Sequence, residues 1–266
     1  MSFFSLPTWA VGLLLVAVLG IATAAGYLTG RYLRKHHETL KEPFGVLQGA
    51  FLGIVGLLLA FGLSLALGRY EDRRAATVVE ANAIGTTYLR AQLIAEPART
   101  KSLDLLRRYT DLALRISHEV PSSAGMRRTT AAEGVVQRRL WGLAGQAMDA
   151  APLGSADRLY VDSLNATIDA QSARLSTLTN RVPDAVLALE VLAAAAALGV
   201  LALHISVLGR GLVAMIAAGA LVALLLIVTF DLDRPTRGLI TVPSAPLASV
   251  RASMVPPPAA QAPTGR

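Results

Sequence analysis

Cysteine is absent from all 266 residues, so the chain has no disulfide framework, no thiolate zinc site and no thiol nucleophile. Charge is scarce: 16% of residues are Asp, Glu, Lys or Arg against 53% apolar, a balance that excludes a soluble protein once the apolar residues are seen to be clustered. The 25 Lys+Arg exceed the 18 Asp+Glu to give +7, but they are spread through connecting segments instead of forming one dense block, which argues against a nucleic-acid partner. There is no Gly-rich phosphate loop, no nucleophile elbow and no pair of histidines at metal-binding spacing on a helix. No catalytic residue, cofactor or metal site follows from these residues, and an enzyme would need a site built from scattered positions.

What is present is four apolar stretches, each long enough to cross a hydrocarbon core of roughly 30 Å. The first runs from Trp9 to Leu28 and is stopped by Arg31, Arg34 and Lys35. Ala22-Thr23-Ala24 resembles a cleavage site, but no Lys or Arg precedes the run, so a retained span is favoured over a signal peptide. The second covers about 44–67 behind Pro43, the third about 186–208 behind Pro183, and the fourth about 212–230, with only Gly209, Arg210 and Gly211 separating the last two. Glu190 and His204 lie one turn inside the ends of the third span, where each is expected to reach the interface or bond a neighbouring helix, with a proton relay as the rival reading. His36, His37 and Glu38 are read as an interfacial loop.

Residues 69–182 hold 16 Lys+Arg and 12 Asp+Glu, with helical patterns punctuated by Pro97, Pro121 and Pro152. The expected fold class is therefore an all-α membrane protein: four transmembrane helices in two hairpins (1–68 and 183–230) with an inserted soluble four-helix domain at 69–182. The first helix of that domain continues from the second span without a proline. The second starts at Pro97 and places Leu103, Leu106, Thr110, Ala113 and Ser117 or Ile116 on one face; the third covers about 127–150 and holds Trp141. In the fourth, Val161, Leu164, Ile168, Gln171, Leu175, Leu178 and Val182 trace one seam, with Ser155 as the expected N-cap. Within the 231–266 tail, 238–247 reads as extended and the proline-rich last dozen residues as disordered.

Counting crossings puts both termini and the helical domain on one side of the membrane. The charge rule is close to a draw, because short loops favour the 29–43 side while Arg69, Arg73, Arg74, Arg174 and Arg181 weigh for the domain side.

Two clusters are candidates for function. Gly45, Gly49, Gly53, Gly56, Ala60 and Ser64 share one face of the second span, with Gln48 near its end; so smooth a face either admits a second helix backbone closely or lines a narrow path. Where the second and fourth spans end on the domain side, Arg69, Glu71, Asp72, Arg73 and Arg74 arrive at the depth of Asp231, Asp233, Arg234 and Arg237, and Glu80 and Asn82 follow one to two turns later on the same helix. Arg73, Thr77, Glu80, Ile84 and Thr87 share a face. These charges read either as a vestibule or cation site, or as ion pairs worth at most about 1 kcal/mol each when exposed.

The stretches Gly68-Arg69-Tyr70-Glu71-Asp72-Arg73-Arg74, Glu80-Ala81-Asn82-Ala83-Ile84-Gly85-Thr86, Phe230-Asp231-Leu232-Asp233-Arg234-Pro235 and Arg237-Gly238-Leu239-Ile240 resemble the bestrophin-like family of bacterial membrane proteins, over roughly 45–250. Bestrophins proper are pentameric anion channels with two membrane hairpins, an intervening cytoplasmic helical domain and a pore lined by the second span. The resemblance thus implies a homo-oligomer in the bacterial inner membrane, a cytoplasmic domain with cytoplasmic termini, small anions as the passing species, and the smooth face of the second span turned to the pore. The calcium clasp of that family is reduced here to Asp231 and Asp233, and Phe51 and Phe61 stand ten residues apart without matching its aromatic neck. A non-conducting scaffold or signalling subunit, whose helical domain binds a partner, is the alternative; a membrane enzyme ranks third.

Overall fold

The computed structural model describes residues 7–34, 41–150, 152, 154–209 and 211–258. Eight helices follow in order: α1 (Thr8–Arg34), α2 (Lys41–Ala91), α3 (Ala98–Ile116), α4 (Ala124–Ala150), α5 (Ser155–Thr179), α6 (Asp184–Leu208), α7 (Leu212–Leu232) and α8 (Ala245–Ser253). Among the described residues there is no strand. Four helical stretches are long and apolar enough to span a bilayer, and the chain is a multi-pass, all-α membrane protein. The expectations for Lys35, His36, His37, Glu38, Arg210 and the end of the tail lie outside the described residues.

The chain divides into two compact units, Met1–Tyr70 with Arg181–Ile240, and Glu71–Asn180 with Thr241–Arg266. The membrane unit is organised around α1 and α6, members of different hairpins. Val11, Leu15 and Leu19 of α1 are buried in one core with Leu187, Ala194, Ala197, Leu198 and Leu201 of α6, joined by Val55, Leu59 and Ala66 of α2 and by Leu226 and Phe230 of α7. Contact between α1 and α6 reaches backbone level: a Cβ on Gly26 would collide with the Gly199 peptide, and one on Gly30 with the Leu203 carbonyl. In lipid, where burying apolar surface between helices gains little, such close approach supplies the dispersion and dipole contacts that hold spans together. The α6–α7 turn is tight because Gly209 (φ 72) and Gly211 (φ 106) both adopt left-handed conformations that side chains rarely tolerate.

In the helical unit, the buried α2 face is the one foreseen: Arg73, Thr77, Glu80, Ile84 and Thr87 are all at most 2% exposed. Its neighbour is α5, since the Thr87 hydroxyl meets that of Thr167 at 2.8 Å and donates to the Ser163 carbonyl at 2.8 Å. The α5 seam is more polar than its apolar spacing suggests. Ser163, Thr167, Gln171 and Arg174 are buried beside Leu164 and Leu178, whereas Val161, Ile168 and Leu175 are only half-buried. The seam turns to meet hydroxyl and charged partners on α2, which outweigh the strict three-four apolar rhythm. Ser155 is the first helical residue and Gly154 holds the cap position without a side-chain bond, which corrects the expected N-cap. On α3 it is Ile116, 1% exposed, that enters the core, and Ser117 that stays half-buried.

The tail departs most from expectation. After an irregular 234–244 segment, Ala245–Ser253 forms α8, whose Leu247 is fully buried along with the following Met254. The Met254 carbonyl accepts from Tyr88 at 3.3 Å and Arg107 at 3.2 Å, and Arg251 reaches Asp111 at 2.6 Å. Pro246 in the first turn suits helix initiation, because the N–H it lacks would have no intrahelical partner.

Candidate functional site

The membrane part of α2 has two unlike sides. Val55, Leu59, Gly62 and Ala66 are buried, while Gly49, Gly53, Gly56, Ala60 and Ser64 are exposed. A Cβ built on Gly49, Gly53 or Gly56 would find, beyond its own helix turn, no atom of the described residues within 4 Å. Gln48 is half-buried at the start of the stripe, and Gly45 lies on the same helix upstream. The stripe therefore packs no described segment of its own chain. The close helix packing inside the chain is done by Gly26, Gly30 and Gly199, which sequence reading passed over, although the small-residue runs Ala22–Gly26 and Ala193–Gly199 carried the signal.

Behind the stripe, Gly62 makes room for Glu190. A Cβ at Gly62 would overlap the Glu190 carboxylate, whose residue is 3% exposed and whose two oxygens have no hydrogen-bond partner among the described residues. Of the two expectations for Glu190, reaching the interface or meeting a neighbouring helix, the side chain takes the second place: it turns into the protein against the back of α2, without a hydrogen bond there among the described residues. His204 is half-buried.

The turn after α7 is buried rather than laid open to solvent: Asp231 is 3% exposed, Asp233 0% and Arg234 3%. Asp231 accepts from the Leu239 N–H at 3.0 Å and the Ile240 N–H at 2.8 Å, and Asp233 accepts from the Val182 N–H at 3.0 Å. A carboxylate that takes two peptide N–H groups folds the chain back on itself, and Gly238 leaves space for that, since a Cβ there would stand 2.7 Å from the Asp231 oxygen. Burial lowers the Arg234 guanidinium from its usual value, opposed by the charges of Asp231 and Asp233. Both Asp231 oxygens and one Asp233 oxygen thus hold backbone N–H groups. Among the described residues no three His, Asp or Glu cluster as metal ligands. Arg237 is exposed and Arg69 half-buried.

The remaining charged candidates separate as well. Arg73 donates to the Asn180 carbonyl at 2.8 Å and the Thr177 carbonyl at 3.3 Å, so a cation closes the C-terminal end of α5, where unpaired carbonyls concentrate negative potential. Glu80 pairs at 2.7 Å with Arg174, and both are essentially inaccessible. Arg174 also donates to the Ala113 carbonyl at 3.2 Å and the Ser117 hydroxyl at 2.7 Å, and the Tyr109 hydroxyl donates to Glu80 at 3.3 Å. Glu71, exposed, makes a surface pair with Arg74 at 3.3 Å, and Asp72 and Asn82 are exposed. The expected single juxtamembrane network is thus an α5 cap, a buried α2–α5 pair and a surface pair.

Residues 11–247 match the Bestrophin-like domain. The chain belongs to the bestrophin-like family. Solved structures agree at the level of fold. A single-site variant of the bacterial bestrophin homologue from Klebsiella pneumoniae superposes with a TM-score of 0.69 at 14% identity, over 91% of this chain and 97% of that one. A second variant gives 0.64 at 16% identity over 91% and 96%, and the structure phased on zinc gives 0.63 at 17% over 91% and 95%. No curated protein matches. In this bestrophin-like chain the matched range takes in the α2 stripe, the Asp231–Arg234 turn and the buried Glu80–Arg174 pair, and ends at Leu247, inside α8.

Proposed function

We propose that this bestrophin-like membrane protein is an oligomeric, channel-like protein in which α2 helices from several copies surround a narrow path for small anions. The observation that carries the reading is the two-sidedness of α2: its apolar side is buried in its own unit, and its Gly49–Gly53–Gly56–Ala60–Ser64 side is exposed, with nothing among the described residues in reach of a Cβ at Gly49, Gly53 or Gly56. A stripe without side-chain bulk is suited to a constriction, where a leucine would close the way. The surplus of Lys+Arg over Asp+Glu supports anions over cations. We place the protein in the bacterial inner membrane with the helical unit and both termini cytoplasmic, an orientation that follows from the layout of bestrophins. The same open stripe favours a second reading, a non-conducting scaffold in which copies pack through it.

Ion flux from liposomes under chloride and potassium gradients, with Gly53→Leu and empty vesicles as controls, separates the two. Flux in the wild type, lost in a variant that still assembles, fits a path along α2. Loss of the oligomer in the variant, or no flux from folded oligomeric protein, gives the scaffold reading.

A further inference from the structure

In the core of the helical unit two buried carboxylates, Glu80 and Glu133, lie near one buried guanidinium, Arg174; the other buried guanidinium, Arg73, closes the end of α5, and Asp157 is buried at the start of α5. Glu80 on α2 is matched by Arg174 on α5, while Glu133 on α4, 0% exposed, has one oxygen bonded by the neutral Gln171 amide at 2.7 Å and the other with no partner among the described residues. The groups facing it are known from each element packed there: Glu80 from α2, Tyr109 from α3, Gln171 and Arg174 from α5. Asp111 and Arg251, where α8 lies on α3, form a partly exposed pair of their own. Around Glu133, one guanidinium, that of Arg174, therefore serves two buried acids. A buried carboxylate without its own countercharge is tolerated only in its neutral form. Consistent with this, burial and the charge of Glu80 push the Glu133 carboxyl up to about 8, against the Gln171 hydrogen bond and the Arg174 charge, and the same surroundings raise Tyr109 well above the phenol range.

We propose that the helical unit is a proton-responsive element: Glu133 carries a proton in the packed bundle, and its ionisation beside Glu80 loosens α4 from α3 and α5. The uncharged acid can donate as well as accept, whereas the ionised form sets two negative charges against one guanidinium in a buried core of low dielectric. On α4 itself, Gln137 lies one turn on, at i+4, with its amide in hydrogen-bond reach of Tyr109.

The sign follows from linkage. In the unfolded chain Glu133 titrates near 4.5, and in the bundle near 8. Its contribution is fully present below the lower value and is lost as pH rises through the upper one. The test uses the full chain in detergent, with Trp141 on α4 as fluorescent reporter in a Trp9→Phe background. Between about pH 6 and pH 7.5 the unfolding constant of the wild type should rise close to tenfold per pH unit more steeply than that of Glu133→Gln, whose side chain keeps the shape of the neutral acid. Equal slopes overturn the proposal. If Glu133→Gln does not fold, infrared spectra of the otherwise wild-type chain in a Glu190→Gln background decide: a protonated carboxylic acid band that persists at neutral pH and disappears through about pH 8 supports it, and no such band at neutral pH refutes it.

Discussion

Replacing Arg174 with methionine perturbs the helical unit at a buried ion pair. In the native bundle the guanidinium lies 2.7 Å from Glu80, with side-chain exposures of 2% and 0%, and it also satisfies the Ala113 carbonyl and the Ser117 hydroxyl. Methionine fills most of the volume but leaves Glu80 with only the Tyr109 hydroxyl, at 3.3 Å. Truncating one partner of a buried pair costs about 3–5 kcal/mol, because the charge left behind stays desolvated. Against a typical folding stability of about 5–15 kcal/mol this is a large share, and for a unit of this size it corresponds to a fall in midpoint of roughly 10–20 °C. The helical unit's transition is read by the fluorescence of Trp141 in full-length protein lacking Trp9. Exchanging both partners, Glu80→Met with Arg174→Met, removes the stranded charge and should recover most of the loss, since apolar replacement of a whole buried pair is often neutral or stabilising. A single variant within about 1 kcal/mol of wild type, or a double variant no better than the single, refutes the reasoning.

Gly62→Ala should lower the thermal midpoint of the membrane unit or displace Glu190, because the new methyl would occupy the space of that carboxylate, whereas Gly53→Ala on the open side should leave the midpoint unchanged; equal effects would contradict the two-sidedness of α2. Met254→Ala empties a fully buried site between α8 and the bundle and should cost about 2–5 kcal/mol, with new protease cleavage in the tail as the readout. Arg251→Ala, which breaks only a partly exposed pair with Asp111, should cost under about 1 kcal/mol by the same measurement.

Much of the architecture is legible in the sequence because the rule that produces it is local. Twenty apolar residues in a row have one stable environment, so Trp9–Leu28 and its three counterparts declare themselves without knowledge of one another. Helical phase is also local, and it places Gly49, Gly53 and Gly56 on one side of α2, and Arg73, Thr77, Glu80, Ile84 and Thr87 on one side further along. Periodicity does not say what a side meets. The small-residue side met nothing among the described residues, and the charged side met α5, so Glu80 belongs to a buried pair instead of a surface network.

The sequence by itself thus determined an all-helical membrane protein with four spans and which residues share a helix face, since each depends on the solvent preference of neighbouring side chains. The tertiary structure decided the partners. Arg174 finds Glu80 across 94 residues, Asp231 turns its oxygens to the peptides of Leu239 and Ile240, Gly62 yields its space to Glu190, and a tail rich in proline closes into α8 over Met254. Those pairings depend on how buried polar groups are satisfied once the helices have packed, a condition imposed by segments distant in the chain and absent from any local pattern.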